Sequence, residues 1–167
     1  SPVAIVRRTG KELRLDTIIA AVDLSPSSTQ VLATAADLAL RVGARVVPVV
    51  TIATTNRLDH GGLWGGNRPA PKRIRKKAFQ LFEAISANLQ LDFPEEMELP
   101  DIAGEPRISS GDPGEELVEA ASDLDADLIV MGRSRPTGGR RLGRITEYVV
   151  RFAPTHVIAL PLEEATL

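Results

Sequence analysis

Two stretches of this sequence hold residues whose types and spacing suit them to grip a small molecule that carries a sugar or a phosphate. The first ends the apolar run Thr17-Ile18-Ile19-Ala20-Ala21-Val22 with Asp23 and continues as Leu24-Ser25-Pro26-Ser27-Ser28. A carboxylate at a strand end can accept hydrogen bonds from a ribose or a base edge; the plainer alternative is that Asp23 does no more than cap the helix after it. The second stretch runs from Met131-Gly132 to Gly143-Arg144 and holds Arg133, Arg135, Arg140 and Arg141 with no acidic residue among them. Glycine permits close backbone approach, the N–H groups at the next helix start attract phosphate, and guanidinium forks match its geometry. The plainer alternative here is a solvated basic loop.

Other chemistries are poorly represented. No Gly-Lys-Ser/Thr closes the glycine-rich loop, so it is not a Walker motif, and the dinucleotide fingerprint belongs after a first strand rather than a fourth. There is no Gly-x-Ser-x-Gly elbow. His60 and His156 have no partner at metal-ligand spacing. Trp64 either stacks on a ligand or closes over the core.

Composition narrows the setting. A chain of 167 residues is long enough for one domain with a proper core. The net charge of −2 argues against a protein dominated by nucleic-acid binding, which needs a net basic face. Cysteine is absent, which removes disulfides, thiolate metal sites and cysteine nucleophiles together. No apolar run approaches the roughly 18 residues of a membrane span. The first residues, SPVAIVRRTGKELRLD, lack a signal-peptide core. A cytoplasmic protein is expected.

The elements that would position both stretches alternate along the chain. Thr17–Val22 reads as a strand buried on both faces, because its apolar run does not alternate. A helix follows from the Ser25–Ser28 region, with Val31, Leu32, Ala35, Leu38 and Ala39 on its apolar face and Gly43 as its stop. Arg45 to about Ala53 is a second strand, with Pro48 awkwardly inside it. The glycine-rich stretch from Thr54 to Ala70 is a long loop on the ligand side. Pro71 opens a second helix striped by Ile74, Ala78, Leu81, Ile85 and Leu89. Its start is crowded with Lys72, Arg73, Arg75, Lys76 and Lys77, against the helix dipole.

Pro106–Ser110 is a third strand. Asp112, Pro113 and Glu115 form the N-cap, first residue and back-bonding third residue of a capping box. Leu117, Val118, Ala121 and Leu124 face inward on that helix. Asp127–Met131 is a fourth strand. A fourth helix carries Ile145, Val149 and Phe152 and stops at Pro154, and His156–Leu160 is the last strand. This alternation predicts an α/β fold, doubly wound around a parallel sheet with helices on both faces. Residues 1–14 read as an arm or an edge hairpin turning near Thr9-Gly10, 15–162 as the domain, and 163–167 as a tail.

Several motifs, in register, resemble the universal stress protein family. They are Ile19-Ala20-Ala21-Val22-Asp23-Leu24-Ser25, Gly111-Asp112-Pro113, Ala126-Asp127-Leu128-Ile129-Val130-Met131-Gly132, Gly143-Arg144-Ile145-Thr146-Glu147-Tyr148-Val149 and Ala153-Pro154-Thr155-His156-Val157-Ile158. The resemblance implies a five-stranded parallel sheet of order 3-2-1-4-5, an adenine-nucleotide alpha-hydrolase-like fold. It implies a homodimer through the last strand, here Val157, Ile158, Ala159 and Leu160. It also implies a stress-response protein that binds ATP, ADP, AMP or cyclic AMP, with Mg if a triphosphate, and that has no dedicated catalysis.

Carried over residue by residue, Ala21, Val22 and Asp23 would line base and ribose, and Val50 or Thr51 would wall the adenine. Met131, Gly132, Arg133, Gly143, Arg144, Ile145 and Thr146 would face ribose and phosphates. The binding branch of the family carries Gly-x-x-Gly, nine residues, then Gly-Ser/Thr. Here Arg135 stands at the second glycine, Arg144 at the hydroxyl residue, and the loop is two positions shorter. That departure keeps open a ligand-free interaction dimer. The cations at Lys72–Lys77 and in the arginine loop keep open a binder of RNA or other anions.

Overall fold

The computed structural model describes residues 2–6, 14–52, 72–87, 106–133 and 142–161. The strands are β1 (Val3–Ile5), β2 (Thr17–Val22), β3 (Arg45–Ile52), β4 (Arg107–Ser110), β5 (Leu128–Arg133) and β6 (His156–Pro161). The helices are α1 (Ser28–Val42), α2 (Lys72–Ala87), α3 (Pro113–Asp123) and α4 (Arg144–Phe152).

The strands form one six-stranded sheet of order β1-β6-β5-β2-β3-β4. From β6 to β4 every pairing is parallel, as the alternation of elements predicts, and the order is the one that the resemblance implies. Two expectations need correction. The sheet has six strands and is mixed, because β1 pairs antiparallel with β6, Ala4 opposite Ile158. Residues 3–5 of the N-terminal segment are thus an edge strand of the sheet, paired with β6. The proposed turn at Thr9-Gly10 lies outside the described residues, as do the Thr54–Ala70 loop, His60 and Trp64. The last strand is also not an open edge, since β1 covers it within the same chain.

The central strand shows why an apolar run without alternation builds this fold. Ile18, Ala20 and Val22 pack with Val31, Leu32 and Ala35 of α1 on one face. Ile19 packs with Leu117, Ala120 and Ala121 of α3 and Val149 of α4 on the other. Both faces of β2 are thus covered, the condition for a parallel sheet.

Local signals place the elements. Gly43 takes φ 71°, the left-handed region that stops α1 where no side chain need be accommodated. Asp112 Oδ1 accepts hydrogen bonds from the N–H groups of Gly114 and Glu115 at the start of α3, with Pro113 in its first turn. Only this forward half of the expected capping box forms; no return bond to the Glu115 carboxylate is made among the described residues. Pro48 is accommodated because β4 starts alongside Val49, so Pro48 has a strand neighbour on one side only.

At the end of the sheet away from the strand tips, Asp127 fixes the register of β2 and β5. Its Oδ2 accepts from the N–H groups of Asp16 at 2.8 Å and Thr17 at 2.9 Å, and its own N–H donates to the Thr17 carbonyl. Asp127→Ala leaves two backbone donors without their acceptor and should lower stability by about 1–3 kcal/mol. Urea unfolding at neutral pH checks this, and Asp127→Asn, which keeps an acceptor oxygen, should recover most of the loss.

Candidate functional site

Strand order reverses between β2 and β5, and open parallel sheets bind ligands outside the carboxyl ends at such a point. A cleft of about 390 Å³ lies there. Its floor is made by the ends of β2 (Ala21, Val22, Asp23), β3 (Thr51, Ile52) and β5 (Met131, Gly132). Leu24, Ser28 and Val31 wall one side, and Pro113, Leu117 and Ile145 wall the other. The walls are mostly apolar, the usual character of a small-molecule site.

Asp23 is the one ionisable side chain among these lining residues. The chain turns sharply after it, with Leu24 at φ 62°, a left-handed conformation that costs energy for a branched side chain. The turn folds Ser25 and Ser28 around the carboxylate. Oδ1 accepts from the Ser25 N–H at 3.0 Å, from Ser25 Oγ, and from Ser28 Oγ at 2.7 Å. The Ser28 hydroxyl, itself buried, also accepts the Asp23 N–H at 3.1 Å. Oδ2 takes no hydrogen bond among the described residues. Burial raises the Asp23 pKa, but the hydrogen bonds from Ser25 and Ser28 together outweigh it and hold the group below its ordinary value. The strand end therefore presents an ionised carboxylate with one oxygen spent on its own turn and the other available.

Seven of the residues expected at the site line this cleft: Ala21, Val22, Asp23, Thr51, Met131, Gly132 and Ile145. The other five do not. Val50 is fully buried in the core on the α1 side, so Thr51, its neighbour in the strand, is the one that reaches the cleft. Thr146 is fully buried, and its Oγ1 lies 3.4 Å from the Gly132 carbonyl as donor, tying the first turn of α4 to the end of β5. Gly143 is the buried N-cap of α4. Arg133 ends β5, half-buried. The Arg144 side chain is 85% exposed, and its Nη2 lies 3.3 Å from Asp112 Oδ2. Asp112 thus caps α3 with one oxygen and holds the start of α4 with the other. Arg135, Arg140 and Arg141 lie outside the described residues.

Leu24, Ser28, Val31, Ile52, Pro113 and Leu117 line the cleft without having been expected there. Apolar residues at helical or strand spacing read as core, and most of these are core on one side and cleft wall on the other. Ser28 carried a signal, since a hydroxyl five residues after a strand-end aspartate is within reach of its carboxylate once the chain turns.

Glu116 is a further surprise. It lies on α3 next to Leu117, yet its residue is only 8% exposed. Its Oε2 and the Ser109 hydroxyl on β4 are both buried without a hydrogen bond of normal geometry among the described residues. Burial pushes the Glu116 carboxyl above its ordinary value, offset only in part by the nearby Ser109 hydroxyl and Arg107. The folded state then binds this proton more tightly than the unfolded chain does. Its contribution to stability is full below the unfolded carboxylate value and falls as pH rises through the folded one. Glu116→Gln should flatten that slope, so its gain over the parent protein in chemical denaturation should grow with pH across the window. A gain independent of pH would contradict this assignment.

Among the described residues no three potential ligand side chains gather into a metal site, and no helix is long and apolar enough to cross a membrane. The start of α2 displays Lys72, Arg73, Arg75 and Lys76, all exposed.

Residues 14–161 match the profile of the Universal stress protein family. The chain belongs to the universal stress protein family. A universal stress protein of Methanothermobacter thermautotrophicus is 36% identical over 58 residues, a segment that spans 34% of this chain and 40% of that protein. A universal stress protein solved in complex with cAMP superposes with a TM-score of 0.56 at 21% identity, over 90% of this chain and 99% of the other. One from Archaeoglobus fulgidus gives 0.62 at 20% identity, over 99% of this chain and 51% of that longer one. At these identities the structural likeness is one of fold, and it extends to the doubly wound α/β architecture described above.

Proposed function

We propose that this universal stress protein is a cytoplasmic stress-response protein that binds an adenine nucleotide in the cleft between β2 and β5, without dedicated catalysis. The observation that carries the reading is the cleft itself: an apolar slot at the strand ends with one ionised carboxylate, Asp23, whose Oδ2 is available to a pair of ribose hydroxyls. A flat base fits apolar walls, and a ribose fits an acceptor at a strand end. That a family member binds cAMP supports the same class of ligand. ATP, ADP, AMP and cyclic AMP are the candidates, with Mg accompanying a triphosphate. Among the described lining residues Asp23 is the one ionisable group, a carboxylate held ionised and so suited to accepting hydrogen bonds from a bound ligand.

Fluorescence anisotropy with an adenine nucleotide labelled away from the ribose tests the role of Asp23. Asp23→Ala should weaken binding at least tenfold, which corresponds to about 1.4 kcal/mol. Unchanged affinity would sink the proposed ribose contact.

One observation favours a second reading, a ligand-free interaction protein. Arg144, which stands at the hydroxyl position of the binding branch, gives its charge to Asp112. If that pair closes the phosphate side, none of the four nucleotides will bind the parent protein, while Arg144→Ser will gain affinity.

A further inference from the structure

We propose that the exposed cationic face of α2 is a docking surface for a single-stranded nucleic acid, separate from the cleft.

Lys72, Arg73, Arg75 and Lys76 lie in the first two turns of a 16-residue helix, and all four are exposed. Lys72, Arg75 and Lys76 are related by steps of three and four residues, so they fall on one side of the helix, with Arg73 flanking them. Phe79 is three residues beyond Lys76, four beyond Arg75 and seven beyond Lys72, which puts it on that same side. Its ring is also open to solvent, with the residue 38% exposed. The face therefore joins a cluster of cations to an accessible aromatic ring.

This charge works against the fold where it sits. The N-terminal end of a helix carries partial positive charge and repels cations. The first turn of α2 holds no acidic residue to offset it, and among the described residues none of the four cations pairs with a carboxylate. Four residues on from Lys72 stands another lysine, Lys76, and four on from that stands the neutral Gln80. An anion from outside the chain relieves both the repulsion among the cations and their conflict with the helix.

The chemistry of the face identifies the occupant. Several cations strung along a helix match a chain of phosphates better than a single one. A ring beside them matches a base, because every base has a face that stacks on an aromatic side chain. Inorganic polyphosphate offers nothing for Phe79. A bilayer is too broad, since it meets a whole side of a protein whose 22 acidic residues outnumber its 20 basic ones, whereas a single strand needs only the helix.

Fluorescence anisotropy of the full chain with a labelled oligouridylate about 12 nucleotides long, repeated over a range of salt, tests this. Uridine is chosen so that adenine recognition in the cleft adds nothing. Binding should weaken with salt along a log–log slope of about −2 to −3, roughly 0.7 for each of three or four phosphates neutralised. Lys72→Ala, Arg73→Ala, Arg75→Ala and Lys76→Ala combined should weaken binding at least tenfold at low salt and flatten the slope. The combined variant removes charges that the helix dipole disfavours, so it should fold at least as stably as the parent, which urea unfolding checks. Phe79→Ala should weaken binding about fivefold or more and leave the slope unchanged. Thr51→Phe, which fills the cleft, should leave oligouridylate binding as it is. No binding by the parent at low salt overturns the proposal outright. Equal binding by the combined variant and the parent places the phosphates elsewhere. An unaffected Phe79→Ala variant reduces the face to charge alone, as polyphosphate would use it. Loss of binding in Thr51→Phe puts the strand in the cleft. Tighter binding to phosphatidylserine vesicles than to oligouridylate, lost in the combined variant, makes the partner a membrane.

Discussion

Gly114→Val should destabilise the protein by about 1–3 kcal/mol, the usual cost of forcing extra atoms into a packed interface. Gly114 of α3 lies close against α4: a Cβ there would lie 2.9 Å from Tyr148 Cδ1 and 3.2 Å from both Tyr148 Cγ and Asp112 Oδ1. None of these neighbours gives way easily. Tyr148 packs against Phe152 with ring centroids 4.6 Å apart and the rings tilted by 45°. Asp112 is engaged with the start of α3 and with Arg144. The change also acts on the site, because Pro113 and Leu117 of α3 and Ile145 of α4 wall one side of the cleft. Urea unfolding measures the first effect. Gly114→Ala, which demands less room and gains helix propensity, should cost clearly less. Equal stability of the valine variant and the parent would mean that the helices part freely.

The second large effect is on binding. Thr51→Phe should reduce nucleotide affinity on the order of 100-fold, equivalent to about 2.7 kcal/mol. Thr51 is half-buried at the end of β3 and lines the cleft, whereas its neighbour Val50 is in the core. A phenyl ring at this position occupies space that the proposed base would take, without adding volume to the core behind it. Val50→Thr, by contrast, introduces a hydroxyl into a fully buried site and should cost stability rather than affinity. Calorimetric titration together with urea unfolding of both variants separates the two effects.

These neighbouring residues also show what could be read in the sequence. The elements were legible wherever a local rule specifies them. An apolar run without alternation marked β2 and β5, a glycine in the left-handed region ended α1, and Asp112-Pro113 opened α3. That the carboxylate at the end of β2 would line the crevice was legible, because the topology sends strand ends there. Which of Val50 and Thr51 faces it was not, since a strand buried on both faces gives no alternation to phase it. Thr146 and Arg144 were assigned toward phosphates by resemblance. The fold gives Thr146 a partner in Gly132 and Arg144 one in Asp112, across 14 and 32 positions of chain. Contacts at that separation leave no local trace.

Two further features were illegible for related reasons. A strand of three residues such as β1 is too short to show a period, and its partner lies at the other end of the chain. Glu116 reads as solvent-facing because carboxylates are rarely buried without a partner. In the fold it sits under the turn between β4 and α3, where a Cβ on Gly111 would lie 2.7 Å from its Oε1.

The central claim is that the cleft between β2 and β5 holds an adenine nucleotide. A thermal-shift titration of the full chain with ATP, ADP, AMP and cyclic AMP, each with and without magnesium, tests it most directly. A nucleotide present at 100 times its dissociation constant should add about 2.7 kcal/mol of stability. For a domain of this size that raises the midpoint by roughly 5–10 °C. The expected result is such a shift with at least one of the four, abolished by Thr51→Phe. No shift with any of them at millimolar concentration would contradict the account.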